Sequence, residues 1–237
     1  MAENFAPSDW SKSTQRATFS SCDHGVMPRD PELTAYLTRF AGQDEVLAGV
    51  EAETRTLPNA GMLSRPDQAA LLTILARMLD AKTAVEVGTF TGYGAICIAR
   101  GLAEGGRLTC FEVSEEFAAI ARGNLEAAGV ADRVSITLGP AAENLAALPE
   151  EPHIDLAYVD ADKTGYPAYY DALVPRLRPG GVLVLDNTLL GNRVLAPEDE
   201  RAQTMAALNE RIAADDRVES VLLGLSDGVT LARRRAL

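Results

Sequence analysis

Thr83-Ala84-Val85-Glu86-Val87-Gly88-Thr89-Phe90-Thr91-Gly92-Tyr93-Gly94 is the stretch on which the reading of this chain turns. It predicts a short strand over Thr83–Val87, a turn carrying three glycines, and a helix from about Tyr93 to Leu102. In doubly wound folds, ligands bind at the carboxyl ends of strands where the strand order reverses. Glycines at such a turn let the backbone approach a ligand closely. The spacing here is G-x-x-x-G-x-G, whereas a dinucleotide site requires G-x-G-x-x-G.

The same alternation repeats downstream. Strands are predicted over Leu108–Val113, Val134–Leu138, Ile154–Val159 and Val182–Leu185. Between and after them lie helices over Ser114–Ala128, closed by Gly129, and over Ala141–Leu148, Pro167–Leu177 and about Pro197–Ala214. Pro179-Gly180-Gly181 reads as the turn into the fifth strand. Val218–Gly224 and Val229–Arg234 form a hairpin around Ser226-Asp227-Gly228. The expected fold is α/β: a doubly wound, seven-stranded, mostly parallel sheet with helices on both faces and an antiparallel C-terminal hairpin.

Upstream, residues 1–30 are rich in Ser, Thr and Pro with no apolar period, and read as an arm, flexible or pocket-lining. Asp30 would cap a helix beginning at Pro31, whose apolar face is Leu33, Tyr36, Leu37 and Phe40. A second helix runs from Asp44 to about Thr56, with Val46, Leu47 and Val50 inward. Ser64 would cap a third, with Leu71, Leu72, Leu75, Met78 and Leu79 inward. The expected division is the arm and one domain over 31–237, with helices over 31–80 and a Rossmann-like core over 81–237.

The chain has 237 residues and a net charge of −12. That field repels phosphate backbones and anionic lipid, which excludes nucleic acid and membrane surfaces as expected partners. No apolar run approaches the ~20 residues that span a bilayer, and no basic-then-apolar leader opens the chain. Three scattered cysteines, Cys22, Cys97 and Cys110, point to a reduced, cytoplasmic setting.

Two acidic clusters end apolar runs. Asp160-Ala161-Asp162-Lys163 follows Ile154–Val159, and Asp186-Asn187 follows Gly181–Leu185. Either acid by itself could be a solvated strand end. Parallel strands ending side by side would instead bring Asp160, Asp186 and Asn187 around one point. Three oxygen ligands suit a hard divalent cation; magnesium takes six at about 2.0–2.1 Å, leaving room for a substrate oxygen pair and a water. Lys163 is either a solvated lysine or part of this site. There it would stabilise a phenolate or accept its proton, and the sequence leaves both roles open.

Glu86 lies at the end of the first strand. An acid beside the glycines favours a cationic nucleoside cofactor, such as S-adenosylmethionine (SAM) with its sulfonium and ammonium, over a pyrophosphate. Glu112, at the end of the second strand, is placed to accept hydrogen bonds from ribose hydroxyls. His24 and His153 read as surface residues. Tyr166, Tyr169 and Tyr170 read as packing, with Tyr169 within reach of the cofactor. Arg233-Arg234-Arg235 reads as a solvated end.

These motifs resemble the cation-dependent, class I SAM O-methyltransferases of the caffeoyl-CoA and catechol type, especially their bacterial branch. The resemblance rests on Glu86-Val87-Gly88 with Thr91-Gly92-Tyr93, Gly139-Pro140-Ala141, Val159-Asp160-Ala161-Asp162-Lys163, Arg178-Pro179-Gly180-Gly181, Asp186-Asn187-Thr188-Leu189 and Asp227-Gly228-Val229-Thr230. They run in the family's order over about residues 57–237. The resemblance implies that Asp160, Asp186 and Asn187 hold the metal: Mg²⁺, or Mn²⁺ or Ca²⁺. It implies that Glu86, Gly88 and Gly94 meet the methionyl end of the cofactor, with Asp160 also on its amine. Glu112 would take the ribose, Ala141 the adenine, and Met62 and Ser64 would cover the cofactor.

Four positions depart from the family. Gly94 replaces a Ser, which removes one hydrogen bond. Ala69-Ala70 replaces Gly-Gln. Leu190 stands where many members have a Trp, which weakens the expectation of an aromatic acyl-CoA substrate. The expected function is metal-dependent methyl transfer from SAM, leaving S-adenosylhomocysteine (SAH), to a small aromatic vicinal dioxygen acceptor. The alternatives are a non-catechol hydroxyl on a specialised metabolite or amino-acid derivative, a SAM-binding module without catalysis, and an NAD-dependent dehydrogenase, which lacks its glycine pattern. A homodimer is expected by resemblance.

Overall fold

The computed structural model describes residues 31–236. Seven strands form one sheet: β1 (Thr83–Val87), β2 (Arg107–Glu112), β3 (Val134–Leu138), β4 (Ile154–Val159), β5 (Leu177–Asp186), β6 (Val218–Leu223) and β7 (Val229–Arg234). Their order is β3-β2-β1-β4-β5-β7-β6. The first five run parallel, and β7 is antiparallel to both β5 and β6. The chain winds outward from β1 through β2 and β3, then resumes on the other side with β4. The switch point lies between β1 and β4, at the glycine turn quoted above. Seven strands, their directions and the terminal hairpin are as expected.

Among the described residues eight α-helices accompany the sheet: α1 (Pro31–Thr38), α2 (Glu45–Thr54), α3 (Pro66–Met78), α4 (Tyr93–Gly101), α5 (Glu115–Ala127), α6 (Ala141–Ala146), α7 (Tyr166–Leu173) and α8 (Glu200–Ala213). Side chains alternate across a strand, so each strand feeds two cores. Ala84, Leu156, Tyr158, Val182 and Val184 pack with Leu72 of α3 and Ile96 of α4. Val85, Val87, Ala157, Val159, Leu183 and Leu185 pack with Tyr170 of α7 and Met205 and Leu208 of α8. Ser114 and Asp199 cap α5 and α8 by accepting from Phe117 N–H and Ala202 N–H, and Asp44 caps α2 through Leu47 N–H.

Several expectations are corrected. β5 starts at Leu177 and runs through Pro179-Gly180-Gly181, so that segment is an irregularity inside a strand rather than a turn before one. The register against β4 shifts there, and a Cβ on Gly181 would lie 2.7 Å from Ile154 O, a close approach that suits glycine. Ser64 is not a cap: Arg65 precedes α3 and no side chain caps it. The most buried residues of α3 are Gln68, Ala69, Leu72 and Ala76; Leu75 and Leu79 pack against the core as expected, while Met78 is exposed. Small residues turn inward because α3 and α4 approach closely; a Cβ on Gly101 would meet Thr73 O at 2.6 Å. The apolar face of α1 is exposed at Leu33, Tyr36 and Phe40. The arm, its His24 and Cys22, and the Asp30 cap lie outside the described residues. Cys97 and Cys110 are buried free thiols. Among the described residues no helix is long and apolar enough to cross a membrane.

Candidate active site

Strand register assembles the site. Glu86 pairs with Tyr158, and Tyr158 with Val184, across β1, β4 and β5. Asp160 and Asp186 lie two residues beyond Tyr158 and Val184, so by alternation all four polar side chains belong to one face at the carboxyl ends. A cavity of about 500 Å³ opens there. It runs from Glu112 and Ala141, beyond β2 and β3, to Asn187 and Ser226, beyond β5 and before β7. Three strand spacings separate β2 from β5, or about 14 Å.

The β1–β2 end is built largely from backbone. Gly88 adopts φ +92°, and a Cβ there would lie 2.0 Å from Asp160 O. No other residue fits without moving the chain. Glu112 was expected to face a ribose. Its Oε2 accepts from Thr89 N–H at 3.1 Å and Phe90 N–H at 2.8 Å, and its Oε1 from Val113 and Ser114 N–H at 2.9 Å each. A carboxylate offers about four acceptor sites, so Glu112 first of all pins the glycine turn, and a further hydroxyl would share its oxygens. Asn124 Nδ2 braces the same turn through Thr91 O at 2.9 Å.

Glu86 is buried, and its Oε2 has no hydrogen-bond partner among the described residues. Burial, with the charges of Asp160 and Glu112, pushes its carboxyl up to about 8. A buried acid lacking a donor is the counterpart of a cationic ligand, so the residues fit SAM. Gly94 gives this acid its room: a Cβ there would lie 2.6 Å from Glu86 Oε1. Met62, Ser64, Ala141 and Tyr169 all line the cavity. Tyr169 OH donates to Asp162 Oδ1 at 2.5 Å.

The β4–β5 end is built from side chains. Asp186 is buried; its Oδ2 accepts from Tyr158 OH at 3.0 Å and its Oδ1 from Asn187 N–H at 2.6 Å. Burial and the charge of Asp160 raise its carboxyl to about 7, against the pull of Lys163. Tyr158 OH lies 3.4 Å from Ser64 Oγ and accepts from Gln68 Nε2 at 3.5 Å. Lys163 is buried; its Nζ donates to Asp160 Oδ1 at 3.1 Å and Tyr166 OH at 2.6 Å. The Tyr166 proton is shared between Val159 O and Asp186 O, each 3.0 Å away. Tyr166 therefore fixes Lys163 as well as packing.

Asn187 adopts φ +54°, a conformation Asn tolerates. The hairpin before β7 holds the loop that follows: Thr188 N–H donates to Gly228 O at 3.0 Å, and Gly191 N–H to Asp227 Oδ1 at 2.5 Å. Among the described residues no three His, Cys, Asp or Glu side chains cluster as a metal site; Asn187 lines the cavity with Asp160 and Asp186 and would supply a third oxygen to a bound cation. After its two hydrogen bonds Asp186 retains acceptor capacity on both oxygens. A buried acid whose proton affinity is raised by a neighbouring carboxylate fits a hard cation. Leu190 is corrected: it is buried in the core with Leu185 and Met205 and does not line the cavity, so its replacement of Trp removes no wall here.

Sequence reasoning missed Tyr158, Gln68, Asp162 and Arg201 as lining residues and Tyr166 as a lysine holder. Gln68 carried a signal, a polar residue within the apolar face of α3. Tyr158 carried another, its strand parity with Asp160.

The O-methyltransferase family model matches residues 38–235. Tricin synthase 1 of Oryza sativa subsp. japonica is 39% identical over 227 residues, covering 90% of this chain and 85% of its own. Catechol O-methyltransferase domain-containing protein 1 of Mus musculus is 37% identical over 211 residues, covering 86% and 80%. The O-methyltransferase from Bacillus cereus, solved in complex with SAH, superposes with a TM-score of 0.79 at 31% identity, over 86% of this chain and 97% of its own. The sheet order, the glycine turn and these similarities lead to one conclusion: the chain belongs to the O-methyltransferase family, as a SAM-dependent enzyme.

Proposed function

We propose that this enzyme transfers a methyl group from SAM to one hydroxyl of a small aromatic vicinal diol, in a reaction that requires a divalent cation. The observation that supports this reading is that Asp160, Asp186 and Asn187 line the same cavity as Glu86, whose Oε2 lacks a hydrogen-bond partner among the described residues. Similarity to a tricin synthase and to a catechol O-methyltransferase domain protein supports a phenolic acceptor. When bound, SAM supplies a methyl on a sulfonium, and the cation, Mg²⁺ by preference, supplies a Lewis acid that lowers a phenol's pKa.

The residues divide the remaining work. Glu86 and Gly88 receive the charged methionyl end, Glu112 and Ala141 the nucleoside, and Met62, Ser64 and Tyr169 cover it. Asp160, Asp186 and Asn187 hold the cation. Lys163, fixed between Asp160 and Tyr166, sets positive charge beside the acceptor oxygen and is within its proton's reach. Orientation and electrostatics supply most of the rate. The expected homodimer is read by light scattering.

The test is methyl transfer to a catechol with Mg²⁺, with EDTA and in Asp160→Ala. Both the chelator and the substitution should lower turnover by about 10²-fold or more. Full turnover in EDTA would sink the metal role. It would favour a non-catechol hydroxyl on the same fold.

A further inference from the structure

Three cations line the cavity: Arg65, Lys163 and Arg201. Two are committed. Arg65 Nε pairs with Asp67 Oδ1 at 3.1 Å, and Lys163 is held by Asp160 and Tyr166. Arg201 makes no ion pair or hydrogen bond among the described residues, and it is exposed. Of the acids just before it, Asp199 caps α8 and pairs with Arg193, and neither Glu198 nor Glu200 pairs with Arg201. Arg201 also sits in the first turn of α8, where a cation opposes the helix dipole. Neither helix stability nor an ion pair accounts for it.

Arg201, on the helix that follows β5 in the chain, lines the same cavity as Asn187 and Ser226. Glu112 and Ala141, in the same cavity, are the residues proposed to receive the nucleoside. Five acids line it as well: Glu86, Glu112, Asp160, Asp162 and Asp186. Of the three cations in the cavity, Arg201 is the one left free to pair with an anionic group of an acceptor, in a chain of net charge −12. A guanidinium recognises a carboxylate through paired N–H donors.

We infer that Arg201 selects acceptors that carry a carboxylate, so that the substrate class is a hydroxylated aromatic acid with vicinal hydroxyls. This inference rests on the function proposed above and narrows it. Arg201 acts on specificity and takes no part in the chemical step.

The test compares ortho-dihydroxyphenylacetate with its amide, in which the methylene insulates the phenols so that their acidities match. Initial rates are measured with SAM and Mg²⁺ for the unsubstituted enzyme, Arg201→Gln and Arg201→Glu, with SAH calorimetry to show an intact cofactor end. The ratio of kcat/KM for the acid over the amide should fall about fivefold in Arg201→Gln, carried by KM, and further in Arg201→Glu. Raising the ionic strength should shrink the ratio in the unsubstituted enzyme. A ratio unchanged by either substitution overturns the inference and leaves the proposed function standing. Absence of turnover of both diols by the unsubstituted enzyme overturns the proposed function, and this inference with it.

Discussion

The two ends of the cavity are made differently. Beyond β1 and β2, the wall is main chain: Gly88 lies against Asp160 O, and four N–H groups close on Glu112. Beyond β4 and β5, it is a lattice of side chains in which Tyr158 and Gln68 back Asp186, and Tyr166 backs Lys163. Main chain can move only with the strand that carries it. A side chain can be exchanged while the strand stays. The first end suits a part common to every reaction of such an enzyme, and the second suits the part that varies between acceptors.

Gly88→Ala tests the contrast most severely. Its Cβ would lie 2.0 Å from Asp160 O at φ +92°, so backbone must shift at both ends together. The expected result is loss of SAH binding by more than about 100-fold and destabilisation of roughly 2–4 kcal/mol, read as a Tm drop of roughly 5–15 °C. A protein that kept its SAH affinity would break the contrast.

Tyr158→Phe should separate the ends. It removes the hydroxyl that donates to Asp186 Oδ2, a supporting bond whose loss typically weakens a metal site about tenfold. Metal titration of activity should show that shift, while SAH affinity should stay within about threefold. Equal losses on both would show that the ends are not separable.

Glu86→Gln leaves both ends of the cavity in place and concerns pH. Burial holds the Glu86 carboxyl protonated to about 8, against 4.5 in the unfolded chain. Between those values the folded chain keeps a proton that the unfolded chain has released, so stability falls as pH rises through that window. In the cofactor-free protein, Glu86→Gln should flatten the fall in Tm between about pH 5 and 8. An unaltered slope would mean that Glu86 ionises freely and finds a partner.

Much of this site is legible without coordinates because it lies where strands end. Each of Glu86, Glu112, Asp160 and Asp186 closes an apolar run, and a parallel sheet gathers such ends on one edge. The turn at 179–181 and the face of α3 misled because local composition does not report what lies opposite. Gly181 faces Ile154 O across the sheet, and Ala76 faces Gly101 across two helices. Leu190 misled for the same reason, since a backbone with φ +46° turns it into the core.

The sequence by itself determined the strand and helix alternation, the absence of a dinucleotide turn, and the set of acids and the amide at the strand ends. Those follow from residue periodicity and from chemistry carried by single side chains. Only the tertiary structure decided that Glu86 Oε2 is left without a donor among the described residues, that Glu112 is taken up by backbone, that Tyr158 and Tyr166 hold the residues in front of them, and that Arg201 lines the cavity without a partner among the described residues. Each of these depends on contacts between elements distant in the chain, and a linear pattern of residues does not encode distances across a fold.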